Sequence, residues 1–188
     1  MAIAIPAEVR AKLVSMIGEL RLLAPQMKWV RAENLHLTLR FIGETDTAKL
    51  DGIRAALAGI RASQPIALLA QGLGFFPNEK RPRVLWAGIS AVSGGLPELA
   101  AEIDASLAPL GFASERRPFQ PHLTLARIET ARLPNALSAA TTQYSKRSFG
   151  AWRATEFHLI ESKLKSTGAE YTTLQSFRFV SENSASES

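Results

Sequence analysis

The tetrapeptide His-Leu-Thr-Leu occurs twice in this chain, at residues 36–39 and 122–125. Its alternation of polar and apolar residues is typical of a β-strand with one buried face, because successive side chains of a strand point to opposite sides of the sheet. Each copy is therefore predicted to bury its two leucines and to present its histidine and threonine together on the other face. Since the chain has only three histidines, two of them share one local setting.

The segments around the two copies also follow a common order, which is strand, helix, motif strand, helix, strand. Apolar residues at helical spacing predict helices over residues 9–23, 50–60, 96–110 and, more weakly, 131–143. Alternating or continuous apolar runs predict strands at 2–5, 35–42, 66–76, 84–89 and 152–162. We interpret this order as an internal repeat of residues 1–76 and 83–162, followed by a final strand over 171–180.

Two copies of such a unit are expected to pack about a pseudo-twofold axis, with a site where they meet. The predicted fold is a single α+β domain over residues 1–180 with two pseudo-symmetric lobes. Each lobe is expected to be a mainly antiparallel sheet with outer helices, and the active-site cleft lies between the lobes. The polar tail at 181–188 is expected to be disordered.

Composition narrows the class of protein. The chain has 188 residues and no cysteine, which excludes a disulfide framework, a thiolate nucleophile and a cysteine zinc site. No apolar run approaches the roughly 20 residues of a membrane span, so we expect no membrane association. With no cysteine, a cytoplasmic location is the default expectation, and we expect a monomer. The formal net charge of +5 favours polyanions such as RNA, but plain solubility explains it equally well.

The paired motif suggests acid–base chemistry on a phosphodiester. An unperturbed histidine has a pKa near 6.5, so His36 and His122 can hold opposite protonation states near neutral pH, one taking a proton and the other giving one. Thr38 and Thr124 offer hydroxyl donors to the phosphoryl oxygens, one from each strand. These four residues are the core of the predicted site.

Two arginines are further candidates for phosphate binding. Arg127 carries a guanidinium suited to forked contacts with phosphate. Strict alternation places it on the core face, so it reaches the cleft only if the strand ends or bulges after Leu125. Arg40 lies on the same predicted face as His36 and is the second candidate.

A metal site is the main alternative use of two histidines. No carboxylate lies on the same face within either motif strand, and no spaced His/Cys set offers a third ligand. We therefore expect neither a metal nor another cofactor. His158 has no threonine two residues after it and is interpreted as a surface or packing histidine.

The chain resembles a known family at these residues. The segments 33–39, 81–86 (Arg-Pro-Arg-Val-Leu-Trp) and 118–127 are similar to those of the two-histidine (2H) phosphoesterases, and within them to the RNA 2′,3′-cyclic phosphodiesterases, historically called 2′-5′ RNA ligases. The segment 161–164 with Gly168 and Tyr171 fits the C-terminal pattern of the same group. The similarity covers nearly the whole chain to about residue 180.

The resemblance implies metal-independent hydrolysis of RNA 2′,3′-cyclic phosphate ends, or of cyclic nucleotides, to 2′-phosphomonoesters. It implies that His36 is the proton donor to the leaving 3′ oxygen and His122 the proton acceptor that activates water. An RNA 5′-hydroxyl in place of water gives 2′-5′ ligation. Two alternatives stay open: a non-catalytic module that binds RNA or nucleotides, and a phosphodiesterase acting on another 2′-linked nucleotide.

Overall fold

The computed structural model describes residues 1–60, 64–130, 133–165 and 168–179. The tail predicted over 181–188 lies outside these residues. The described helices are α1 (Ala7–Leu23), α2 (Leu50–Ala58), α3 (Leu96–Leu107) and α4 (Asn135–Gln143). The described strands are β1 (Ala2–Ala4), β2 (Lys28–Trp29), β3 (His36–Thr38), β4 (Ile66–Phe76), β5 (Val84–Ser93), β6 (His122–Arg127), β7 (Ser148–Ala154), β8 (Glu156–Lys165) and β9 (Gly168–Arg178).

All strand pairs in the described chain are antiparallel, in the order β7-β4-β5-β6-β3-β1-β8-β9, with β2 beside β6. The strands from β7 to β6 form one lobe and those from β3 to β9 the other. The two lobes meet where β3 pairs with β6, at Leu37 opposite Leu123. The α+β class with two lobes is confirmed, and the sheets predicted for the lobes are joined edge to edge.

The two lobes correspond strand by strand when the strands are counted outward from the β3–β6 pair. Strand β5 then corresponds to β1, β4 to β8 and β7 to β9. Strand β4 follows the first motif strand in sequence but lies in the lobe of the second, while β8 crosses in the opposite direction. Because this exchange places the two motif strands side by side at the centre, it forms the site. The bounds predicted for the internal repeat stay a prediction.

Helices pack on the sheet through the apolar positions that predicted them. Helix α1 contacts β7 and α4, and α4 contacts β4, so this pair belongs to the β7–β6 lobe. Helices α2 and α3 contact each other, and α2 contacts β9. The side chains that α3 buries include the predicted stripe of Leu96, Leu99, Ile103 and Leu107.

Two of the differences between the predicted and the observed strands bear on the site and the topology. The motif strand expected over 35–42 is β3, which ends at Thr38, although Leu39 N–H still bonds the carbonyl of Met1 at 2.9 Å. The single extended segment expected over 152–162 is divided between β7 and β8. The division has a topological cause, because the chain leaves the edge of one lobe at β7 and enters the other at β8.

Candidate functional site

The pairing of β3 with β6 brings both motifs onto one surface. Leu37 and Leu123 are paired and fully buried. In an antiparallel pair, this register sets His36 opposite Thr124, and Thr38 opposite His122. Directly opposed side chains are about 4.5–5.5 Å apart at Cβ and diagonal ones about 7–8 Å. The two histidines are thus diagonal neighbours on this face, and the two threonines are the other diagonal pair.

Both imidazoles are fixed by the same kind of hydrogen bond. Nδ1 of His36 lies 2.8 Å from the carbonyl oxygen of Asn34. Nδ1 of His122 lies 2.7 Å from that of Gln120. Because a carbonyl only accepts, each Nδ1 must carry a proton, and each Nε2 is left to exchange protons with a ligand.

Each imidazole also packs against the edge of an aromatic ring. The ring of Tyr171 lies 4.9 Å from that of His36 between centroids, at 74°. The ring of Phe76 lies 4.8 Å from that of His122, at 81°. Phe76 in turn contacts Trp86 at 5.2 Å. These contacts restrict rotation of the two imidazoles about χ2.

The electrostatic setting of His36 is dominated by burial. Burial lowers the pKa of His36 from its usual 6.5; the hydrogen bond from Nδ1 to Asn34 opposes the shift, and the amino-terminal charge adds to it. Desolvation dominates because it penalises the charged imidazolium. The free protein therefore favours the neutral form of His36, and a bound anion would reverse that preference.

Arg127 reaches the surface through a β-bulge. Leu85 pairs with Ala126 and Trp86 pairs with Thr124, so Leu125 is an extra residue on β6. Both Leu125 and Ala126 are buried, and the shift in parity leaves Arg127 exposed. This is the bulge that the sequence required before Arg127 could leave the core face. Its contact with phosphate stays a prediction.

The polar groups of this surface have few protein partners. Within the described chain, neither the Thr38 nor the Thr124 hydroxyl makes a hydrogen bond, and Arg127 makes no ion pair. Lys28 on β2 lies directly opposite Arg127 in the register and forms an exposed ion pair with Glu129 at 2.6 Å. Like charges that face each other across a strand pair cost stability, and the carboxylate of Glu129 offsets that cost here.

Arg40 is engaged elsewhere. Its Nε lies 2.9 Å from a carboxylate oxygen of Asp104, its Nη1 lies 3.7 Å from one of Glu115, and its Nη2 donates to the carbonyl of Ala113. Only 11% of its side chain is exposed. The phosphate contact predicted for Arg40 stays a prediction, and in this structure two carboxylates already occupy the guanidinium.

The third histidine has local partners. Nδ1 of His158 is hydrogen-bonded to the Ser176 hydroxyl at 2.9 Å, and its Nε2 is 3.9 Å from a carboxylate oxygen of Glu156. Its interpretation as a surface or packing histidine stays a prediction.

Four residues that support the histidines were missed by sequence reasoning about the site. Asn34 and Gln120 act through backbone carbonyls two residues before each histidine, and no side-chain pattern signals that. Phe76 and Tyr171 lie far from the histidines in sequence. Tyr171 belongs to the C-terminal pattern of the family, but that pattern does not tell which residue it contacts.

The described residues offer neither a metal cluster nor a membrane-spanning helix. Among them there is no group of three or more His, Cys, Asp or Glu side chains that could hold a metal ion. Nor does this part of the chain contain a helix long and apolar enough to cross a membrane.

The model of the LigT-like phosphoesterase family matches residues 3–86 and 89–171. The chain belongs to the LigT-like phosphoesterases. The resemblance to the 2H phosphoesterases is thereby confirmed. An Aeropyrum pernix protein named RNA 2′,3′-cyclic phosphodiesterase is 38% identical over 148 residues, which cover 79% of this chain and 84% of that protein.

Two solved structures share the fold of this phosphoesterase. TT0787 of Thermus thermophilus superposes with a TM-score of 0.79 at 33% identity, covering 96% of this chain and 97% of that one. Escherichia coli LigT complexed with 3′-AMP superposes with a TM-score of 0.75 at 27% identity, covering 95% of each chain.

Proposed function

We propose that this phosphoesterase hydrolyses RNA 2′,3′-cyclic phosphate ends to 2′-phosphomonoesters, with His36 and His122 as acid and base. The observation that carries the proposal is the β3–β6 register, which brings His36, Thr38, His122 and Thr124 onto one face of the sheet. The Aeropyrum pernix relative is named for the same activity.

In the proposed reaction, Nε2 of His122 takes a proton from water, and the water oxygen attacks phosphorus. The bond from phosphorus to the 3′ oxygen breaks, and Nε2 of protonated His36 gives that oxygen its proton. The Nδ1 hydrogen bonds to carbonyls suit both roles, because they leave Nε2 free and stabilise an imidazolium. The products are a 2′-phosphomonoester and a free 3′-hydroxyl, which together account for all atoms of the cyclic phosphate and the water.

Binding of the substrate favours the protonated donor. Burial disfavours the imidazolium of His36 in the free protein, whereas a phosphodiester carries a negative charge within a few ångströms of the ring. An opposite charge so close stabilises the imidazolium. The substrate thus raises the pKa of the group that must protonate its leaving oxygen.

The threonine hydroxyls and Arg127 are proposed to bind the non-bridging oxygens. Donors aimed at the oxygens that gain charge stabilise the transition state more than the ground state. Arg127 is exposed on β6 and makes no ion pair among the described residues, which supports an anionic substrate. The proposal includes 2′-5′ ligation, in which an RNA 5′-hydroxyl replaces water: His122 takes the proton of that hydroxyl, its oxygen attacks phosphorus, the bond to the 3′ oxygen breaks, and His36 protonates the 3′ oxygen.

An RNA oligonucleotide with a 2′,3′-cyclic phosphate end, incubated with excess chelator, tests the proposal. We expect full hydrolysis by the native protein, losses of about 10³-fold or more in both His36→Ala and His122→Ala, and near-native rates in His158→Ala, the matched control. Binding without turnover would support the non-catalytic module instead. Turnover that chelator abolishes would contradict the metal-independent mechanism.

The nature of the substrate is tested by varying it. A cyclic mononucleotide, a cyclic-ended oligonucleotide and a linear 2′-5′ oligonucleotide are compared at several salt concentrations. We expect the cyclic-ended oligonucleotide to have the highest kcat/KM and the steepest loss with salt. A preference for the linear 2′-5′ oligonucleotide would favour the alternative of a phosphodiesterase that acts on another 2′-linked nucleotide.

A further inference from the structure

The hairpin of β8 and β9 extends well beyond its contact with the rest of the sheet. Strand β8 pairs with β1 only at Ala2 opposite His158, whereas the hairpin ladder continues to Lys165 opposite Gly168. Its far part returns to the neighbourhood of His36. The proposed reaction does not by itself require this hairpin.

Three contacts connect the hairpin with the setting of His36. The side-chain amide of Asn34 donates to the carbonyl of Ala169 at 2.7 Å, across 135 residues of sequence. The carbonyl of the same Asn34 accepts the hydrogen bond from Nδ1 of His36. Two residues after Ala169, the ring of Tyr171 packs edge-on against the imidazole. The hairpin therefore holds both the hydrogen-bond partner and the aromatic neighbour of one histidine.

His122 provides an internal comparison. It has the same pair of supports, a carbonyl of Gln120 and the edge of Phe76. However, Phe76 ends β4, a strand of the same lobe that is paired along most of its length with β5. The two histidines are thus supported alike but by different parts of the fold, and only His36 depends on the hairpin.

We propose that Tyr171 and Asn34 are positioning residues, through which the β8–β9 hairpin fixes the ring of His36 for proton transfer. The inference rests on the proposed function for its effect on turnover. The ring of Tyr171 supplies the contact, and its hydroxyl, which has no hydrogen-bond partner among the described residues, is not required. The ring also shields one side of the imidazole from water.

The shielding gives a readout that is independent of turnover. Burial is the main cause that lowers the pKa of His36. Removing the Tyr171 ring lets water reach the imidazole, so the pKa of His36 should rise toward its usual value. With three histidines in the chain, proton NMR can follow each one separately through a pH titration.

The test compares Tyr171→Leu, Tyr171→Phe and Asn34→Ala with the native protein. For Tyr171→Leu we expect kcat to fall about 10- to 100-fold, as for loss of a group that orients a reacting side chain, with KM within about threefold. We expect the NMR titration of His36 to move to higher pH while that of His122 stays unchanged. Asn34→Ala should act in the same direction on kcat, and Tyr171→Phe should behave as the native protein.

Two matched controls separate this effect from general loss of structure. Leu164→Ala changes a side chain that is 89% exposed on the same hairpin and should leave both kcat and the titrations unchanged. Phe76→Leu removes the ring that contacts His122 and should leave the titration of His36 in place.

Several outcomes would overturn the inference. An unchanged His36 titration in Tyr171→Leu would refute the shielding, and an unchanged kcat would refute the positioning. A loss in Tyr171→Phe as large as in Tyr171→Leu would make the hydroxyl a substrate contact instead. If the native protein showed no turnover, the proposed function would fail, whereas the NMR comparison would still decide whether the hairpin shields His36.

Discussion

Gly74 on β4 lies under the indole of Trp86, and its lack of a side chain is a structural requirement. A Cβ added at Gly74 would lie 2.3, 2.5 and 2.8 Å from three atoms of the Trp86 ring, where ordinary contact begins at 3.4 Å. In Gly74→Ala the indole must therefore retreat by about 1 Å, because the obstacle is a rigid ring and not the end of a flexible side chain. Trp86 contacts Phe76, and Phe76 contacts His122. A displaced indole therefore shifts Phe76 and, through it, the imidazole of His122.

Both stability and turnover should respond to Gly74→Ala. Overpacking of this kind costs about 1–3 kcal/mol, which lowers Tm by about 2–4 °C per kcal/mol in a chain of this size. If the imidazole of His122 moves by half of the indole's displacement or more, we expect kcat on a cyclic-ended RNA to fall about 10- to 100-fold. Thermal unfolding and steady-state kinetics on the same preparation measure the two effects.

Gly18→Ala is the matched control. Gly18 is exposed inside α1, and nothing lies within 4 Å of its added Cβ. This substitution should stabilise the protein by about 0.5–1 kcal/mol and leave kcat unchanged. Native stability in Gly74→Ala would refute the packing argument. Lower stability with native kcat would refute the link from Trp86 to His122.

Three further predictions concern the site and its surroundings. Thr38→Val and Thr124→Val should each lower kcat about 10²–10³-fold, and native kinetics in either would remove that hydroxyl from the phosphate site. Arg40→Ala should lower the free energy of unfolding by about 2–3 kcal/mol because it leaves a half-buried carboxylate unpaired. Arg54→Ala breaks an exposed ion pair and should lower it by less than about 0.5 kcal/mol. Equal effects of the two variants in denaturant titrations would contradict this. Because burial lowers the pKa of His36 from 6.5, proton NMR of the free protein should show the imidazole of His36 losing its proton below that value; a titration of His36 above 6.5 would contradict the dominance of burial.

The motif strands were predictable because their chemistry is local. The alternation in His-Leu-Thr-Leu determines which side chains are buried, and Leu37 and Leu123 are both fully buried. The pairing of the two motif strands with each other was expected only as a meeting of two lobes. Their register depends on the long-range exchange of β4 and β8, which no local pattern encodes.

The behaviour of the two arginines illustrates the same limit. For Arg127, alternation in the sequence showed that a bulge after Leu125 was needed for the side chain to reach the polar face. Only the strand register shows that the bulge is present. For Arg40 strand parity indicated the polar face, yet β3 ends at Thr38 and the guanidinium is bound by carboxylates brought by α3 and the loop after it. Alternation predicts a face only as far as the strand continues.

The central claim is that two histidines act as acid and base on one cyclic phosphate. The most direct test is to identify the product that the native protein forms from cyclic-ended RNA in the presence of chelator, by phosphorus NMR of the terminal nucleotide. We predict a 2′-phosphomonoester as the single product, formed by the native protein and by neither His36→Ala nor His122→Ala. A 3′-phosphate, a mixture of both isomers, or product formed equally by the histidine variants would contradict the account.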